Sequence, residues 1–239
     1  RPDVSEIEAV RIARERYGID ATATELGSNQ DRNFLLLEPG GGRSVLRIDN
    51  PVFGDEARDG QHAALEAYRA AGIPVASVLP GLDGELTQRW GGFAVRRSEF
   101  AEGEPLVDCG YLAPVVLEEF GALAAASVRA LAGLRHPGLD REHMWDMRLA
   151  HAETVKLAPA ISDAELRARV LVVAAEAEAA LAPVAAALPV QAIHGDLTDD
   201  NIVATAAPVP LPDGVIDFGD LHRSWRGGHR GAAGASRPH

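Results

Sequence analysis

The chain has 239 residues, 46% of them hydrophobic, which is enough for one large domain or two lobes with a real core. Its formal net charge is −12, so nothing electrostatic favours nucleic acid or an anionic membrane as a partner. A single cysteine, Cys109, excludes an internal disulfide and fits a reducing, cytoplasmic compartment, and no apolar run approaches the ~20 residues that span a bilayer.

Ser5-Glu6-Ile7-Glu8 has capping-box spacing, with Ser5 as N-cap and Glu8 reaching back. It opens a helix carrying Ile7, Val10 and Ala13 that ends near Gly18. Strand-like runs follow at residues 21–26, 33–38 and 44–49, with turns at 27–30 and 40–42, as in antiparallel hairpins. A helix is predicted over about residues 56–71, stopped by Gly72 and Pro74. Two more strands, 75–79 and 93–98, flank a turn-rich stretch from Gly81 to Gly92. Past a short hinge near 99–103 the pattern turns helical, and Leu117, Phe120, Ala124 and Leu131 recur at helical spacing from Pro114 onward. Ser162-Asp163-Ala164-Glu165 reads as a second capping box, opening a long Ala/Leu/Val helix up to Pro183.

The chemistry is concentrated near the end. His194-Gly195-Asp196-Leu197-Thr198-Asp199-Asp200-Asn201 follows the pattern H-x-D-x-x-x-x-N. In that pattern the Asp accepts the proton of an attacking hydroxyl, and the Asn five positions later ligates a metal ion. Val215-Ile216-Asp217-Phe218-Gly219 supplies a second Asp, of the kind that binds the Mg²⁺ bridging nucleotide phosphates. The intervening residues read as loop, strand, turn and strand, which would bring Asn201 and Asp217 side by side. Two acids and one amide oxygen suit Mg²⁺, which takes one or two protein carboxylates and fills its remaining sites with phosphate and water. His194 reads as a structural member of the turn, and Asp199, Asp200 and Asp220 as loop acids or contacts for a substrate amine. Trp145 and Asp146 read as packing and a cap, and His136-Pro137 as a helix terminus.

With those motifs the chain resembles the aminoglycoside phosphotransferase and choline kinase superfamily, and within it the hydroxylysine-kinase-like branch, which also occurs fused to class III aminotransferases. Residues 26–36, 45–51, 136–137, 145–148, 194–201 and 214–225 carry the likeness. The resemblance implies an α+β, bilobal, protein-kinase-like fold. Its N-terminal lobe (1–99) would hold a five-stranded antiparallel sheet and one helix. Its C-terminal lobe (100–225) would be mainly helical with a catalytic-loop hairpin. By the same resemblance Asp196 is the catalytic base, and Asn201 and Asp217 hold Mg²⁺. Ser28, Asn29 and Asn33 belong to the loop over the phosphates, Arg47 grips the phosphates, and the hinge around Phe100 meets the purine. The expected activity is transfer of the γ-phosphoryl of ATP or GTP to a hydroxyl of a small cationic amino alcohol or hydroxylated amino acid. The partner expectation includes fusion to, or work with, an aminotransferase-type enzyme.

The chain departs from the family pattern in two places. Arg47 stands where a Lys is usual, and the following helix should supply an acid to pair with it; Glu56, Asp59 and Glu66 are candidates, and spacing favours Asp59. After Trp225 the residues are rich in Gly and Arg with no apolar period, so 226–239 is expected to be disordered. Relatives continue there with helices. That difference, with the missing initiator Met, points to an excerpt of a longer chain, either truncated or altered in reading frame. The alternative to an active kinase is a catalytically weak, kinase-like module that holds nucleotide or substrate for a larger enzyme.

Overall fold

A computed structural model describes residues 1–28, 30–110, 112–205 and 209–228. Helix α1 (Glu6–Tyr17) begins at the expected capping box, with Ser5 Oγ accepting the Glu8 backbone N–H, and ends at left-handed Gly18. Its buried face is Ala9, Ile12, Ala13 and Tyr17, while Ile7 is exposed. Residues two apart on a helix point about 200° apart, so the face through Ala9 turns Ile7 outward.

Strands β1 (Thr22–Leu26), β2 (Arg32–Leu37) and β3 (Arg43–Ile48) form antiparallel hairpins, and helix α2 (Asp55–Ala70) follows. Short β4 (Val78–Leu79) and β5 (Gln88–Trp90) precede β6 (Phe93–Glu99). The sheet has six strands in the order β1-β2-β3-β6-β4, with β5 also paired to β6. The expectation of five strands is corrected by β5. Gly91 (φ 53°) and Gly92 (φ 87°) form the two-residue turn that joins it to β6, a conformation that glycine adopts without steric cost.

Beyond the hinge, β7 (Glu104–Pro105) leads to helix α3 (Pro114–Leu131). Its buried stripe is Val116, Phe120, Ala124, Ser127 and Leu131, and Leu117, expected inside, faces out, about 100° round the helix from Val116. Helices α4 (Ala150–Leu157) and α5 (Ala164–Leu181) follow. The N-cap of α5 is Asp163, whose carboxylate accepts from Glu165 and Leu166 N–H, so the expected capping box at Ser162 is corrected by one residue. The last strands are β8 (Val190–Ile193), β9 (Ile202–Ala204), β10 (Pro212–Val215) and β11 (His222–Trp225). Here β9 lies between β10 and β7, and β11 pairs with β8. Residues 226–228, expected to be disordered, are helical; the rest of that expected tail lies outside the described residues.

Two apolar clusters hold these elements. One packs Val4, Ile12 and Tyr17 against Phe34, Leu46 and Val95 on one face of the sheet. The other joins Ala64, Leu65 and Tyr68 of α2 to Phe120, Leu197 and Phe218. Helix α2 follows β3 in the chain but shares its core with the helical half, which sets the opposite face of the sheet over the motif loops. Among the described residues, no helix is long and apolar enough to cross a membrane.

Candidate functional site

The motif loop begins where β8 ends. His194 is fully buried, and its Nε2–H donates to the Ile216 carbonyl at 3.1 Å while its ring meets Phe218 edge-on. Burial lowers its pKa, so the neutral imidazole pins the two motif segments together, as the sequence reading expected of a structural His. Gly195 is left-handed (φ 89°), and a Cβ there would lie 2.2 Å from the Asp220 carbonyl oxygen, so glycine is required.

That turn delivers Asp196. Asn201 Nδ2 donates to Asp196 Oδ2 and to the Asp196 carbonyl, both at 2.8 Å, leaving the Asn201 amide oxygen for another partner. The β9–β10 hairpin pairs Ile202 with Val215, and the Ile216 N–H donates to the Asn201 carbonyl at 3.0 Å. Asn201 and Asp217 therefore sit side by side, as the spacing predicts. Asp217 is left-handed (φ 53°), a conformation Asp tolerates better than most residues, and its Oδ1 accepts the Gly219 N–H at 3.1 Å. Both residues line a cavity of about 490 Å³ between the sheet and the motif loops, together with Asn33, Arg47, Gln61 and Phe100. That volume suits a small-molecule ligand.

Arg47 projects into this cavity from β3. It contacts three carboxylates: Asp31, whose Oδ2 accepts Nε at 2.7 Å; Asp49, 3.5 Å from Nε; and Asp217, 3.2 Å from Nη1. Burial disfavours the Arg47 charge, but Asp217, Asp31 and Asp49 outweigh it and raise its pKa. Asp59, favoured from sequence to pair with Arg47, is exposed and does not line the cavity, and the ion pairs of Arg47 go to Asp31, Asp49 and Asp217 instead. The helix turns Gln61 and Leu65 to the cavity, and Asp59 lies about 200° round the axis from Gln61. Of the residues assigned to the phosphate loop, Asn33 lines the cavity and Ser28 Oγ accepts the Asp31 N–H at 3.1 Å, while Asn29 lies outside the described residues.

The electrostatics of the two motif acids diverge. Burial and the nearby Asp220 raise the pKa of Asp196 against the opposing Asn201 hydrogen bond. Burial acts on Asp217 in the same sense, but the Arg47 charge and the Gly219 N–H prevail and lower it. Beside them, Asp220 meets His143 Nε2 at 3.0 Å, and the His143 ring stacks on His222 at 4.7 Å between centroids. Arg141 donates to the Gly219 and Leu221 carbonyls and so holds this turn. Sequence reading assigned no role to His143, Arg141 or Asp49 and gave Asp31 only a place in the phosphate loop, because the contacts of His143 with Asp220, Arg141 with Leu221, Asp49 with Arg96 and Asp31 with Arg47 join residues distant in the chain. Asp146 does cap a turn, accepting the Arg148 N–H at 2.9 Å and the Ser224 hydroxyl; Trp145 is exposed.

Among the described residues no three His, Cys, Asp or Glu side chains gather as a metal cluster. The pair present still fits a hard divalent ion. The Asn201 amide oxygen and the Asp217 carboxylate are oxygen donors on one cavity wall, and Mg²⁺ commonly takes only one or two carboxylates plus phosphate and water.

Comparison with known proteins bears on the family and the fold. A model of the phosphotransferase enzyme family, APH, matches residues 22–227. No curated protein matches the sequence. Among solved structures, the amicoumacin kinase hAmiN in complex with AMP-PNP, Ca²⁺ and Ami superposes with a TM-score of 0.72 at 15% identity, over 96% of this chain and 68% of that one. A GDP complex of the aminoglycoside 2'-phosphotransferase-IIIa gives 0.71 at 18% identity, over 93% and 74%. The microcompartment-associated aminopropanol kinase gives 0.64 at 18% identity, over 95% and 73%. At these identities the structural likeness shows the fold, which is the mixed helix-and-sheet, kinase-like one expected.

Proposed function

The chain belongs to the phosphotransferase enzyme family, and from that premise we propose that it moves the γ-phosphoryl group of ATP or GTP onto a hydroxyl of a small amino alcohol or hydroxylated amino acid. The observation that carries this reading is the Asp196–Asn201 hydrogen bond beside Asp217, at the wall of a cavity that Arg47 enters from the opposite side. In this reading Asp196 orients the acceptor hydroxyl and takes its proton as the bond to phosphorus forms. Asn201 and Asp217 would hold Mg²⁺, which when bound neutralises charge on the phosphates. Arg47 supplies a fixed positive charge toward the phosphates, and residues near Phe100 face the base. Most of the rate would come from positioning and charge compensation, since phosphoryl transfer leaves little covalent work for the protein.

A cationic acceptor is supported by the acidic surroundings of Asp196, where Asp199, Asp200 and Asp220 lie close in the chain or in space. The solved neighbours are kinases of an aminoglycoside, an aminopropanol and amicoumacin by their names, which agrees with a small amine-bearing alcohol. The lone thiol of Cys109 is free, in keeping with work in the cytoplasm.

The test is phosphorylation of a panel of amino alcohols by the intact chain and by Asp196→Asn. The substitution should lower turnover by about 10²- to 10⁴-fold with nucleotide affinity unchanged. Because the Asp196 pKa is raised, its proton returns at higher pH than for an ordinary Asp, so kcat/KM should fall on the acid side with an inflection above the usual aspartate range. Unchanged turnover in Asp196→Asn would overturn the base assignment. Nucleotide binding without turnover in the intact chain would assign a nucleotide-holding module instead, the reading favoured by Arg47 resting on Asp217.

A further inference from the structure

Arg47 needs a buried counter-charge, and helix α2 does not provide one. Glu56 and Asp59 are exposed, and Glu66 pairs with Arg69. The polar residue that α2 turns into the cavity is the neutral Gln61, whose Oε1 accepts from Arg96 Nη1 at 2.8 Å. Asp49 is also committed elsewhere: its two oxygens accept Arg96 Nε and Nη2 at 3.0 and 2.6 Å, and it reaches Arg47 only at 3.5 Å. Asp31 is left. It is 2% exposed, and its Oδ2 accepts both Nε and Nη2 of Arg47, so that Nη1 points toward Asp217. Its Oδ1 accepts the Asn50 N–H at 2.7 Å, just past β3, and its own N–H donates to Ser28 Oγ.

We propose that Asp31 is the positioning residue for Arg47. From the residue before β2 it ties the guanidinium to Ser28 and to the turn after β3, so that cation and turn meet the phosphates together. The contact geometry supports this, since one oxygen that accepts both Nε–H and Nη2–H anchors that edge of the guanidinium, while the other oxygen ties the same carboxylate to the Asn50 N–H. The kinetic consequence rests on the phosphotransferase reading given above, whereas the hold on Arg47 does not.

Two measurements separate them. The first follows the Arg47 Nε–H signal by nitrogen-15 NMR without nucleotide, assigned by its loss in Arg47→Lys. It should exchange slowly in the intact chain and quickly in Asp31→Asn; slow exchange in both overturns the proposal. The second compares Arg47→Gln, Asp31→Asn and the double variant for nucleotide KM. Asp31→Asn should raise nucleotide KM about tenfold, the order of one lost charge-assisted hydrogen bond, and leave acceptor KM unchanged. In the Arg47→Gln background the same change should add nothing, and a further loss there overturns the proposal. Asp31→Glu should recover part of the affinity. If Asp31→Asn does not fold, Arg47→Gln against the double variant decides, because the double variant buries no uncompensated guanidinium. If the intact chain binds no nucleotide, the phosphotransferase reading fails and the exchange measurement still decides for or against Asp31.

Discussion

Helices α3 and α5 are both 18 residues long and both rich in Ala, Leu and Val, yet α3 buries five side chains and α5 buries none. The buried residues of α3 fall on one stripe, and its apolar members meet Tyr68, Leu197 and Phe218 in the larger cluster. In α5 the run Val170-Leu171-Val172-Val173 goes round the helix, and among the described elements α5 packs chiefly on α4 and the turn at 158–160. Leu166, Val172 and Val173 remain exposed. Composition and length therefore make a helix, whereas a stripe with a partner makes a core.

The comparison is sharpened most by Phe120→Ala. That ring is 6% exposed in the α3 stripe, and its loss should cost about 3–5 kcal/mol of unfolding free energy, read by denaturant titration. A cost below about 1 kcal/mol would mean the stripe is not packed as described. Next comes Asp163→Ala, which removes the α5 cap; about 1 kcal/mol of local helix stability should go, seen as faster amide exchange along α5. The smallest effect belongs to Val173→Ser, at an exposed site, which should change stability by no more than about 0.5 kcal/mol. A larger destabilisation there would break the contrast, because it would require α5 to be covered in solution.

The candidate site divides in a similar way. Asn201 and Asp217 could be paired from sequence because a hairpin of β9 and β10 brings them together, and hairpin register follows from local turn and strand signals. Arg47 is aimed at the cleft by the family resemblance, and alternation along β3, which sends Leu46 and Ile48 to the opposite face, allows that placing without requiring it. Its partner could not be chosen the same way. Asp59 satisfied the spacing argument, but the rotation of α2 is set by Leu65 and Tyr68 packing against the helical half, and that rotation turns Gln61 inward. Strand β5 was passed over although Gly91-Gly92 is a hairpin signal, because three residues offer too little pattern to read.

By itself the sequence determined the helix starts at Ser5 and Pro114, the hairpin succession of the first lobe, and the two motif loops with their three oxygen-bearing side chains. All of these depend on residues within a turn or a hairpin of one another, where backbone geometry leaves few choices. Tertiary structure alone decided that Asp31 holds Arg47, that His143 meets Asp220, and that α3 is buried while α5 is not. Those outcomes depend on which faces are pressed together across long stretches of chain, and burial energy, indifferent to sequence distance, selects them.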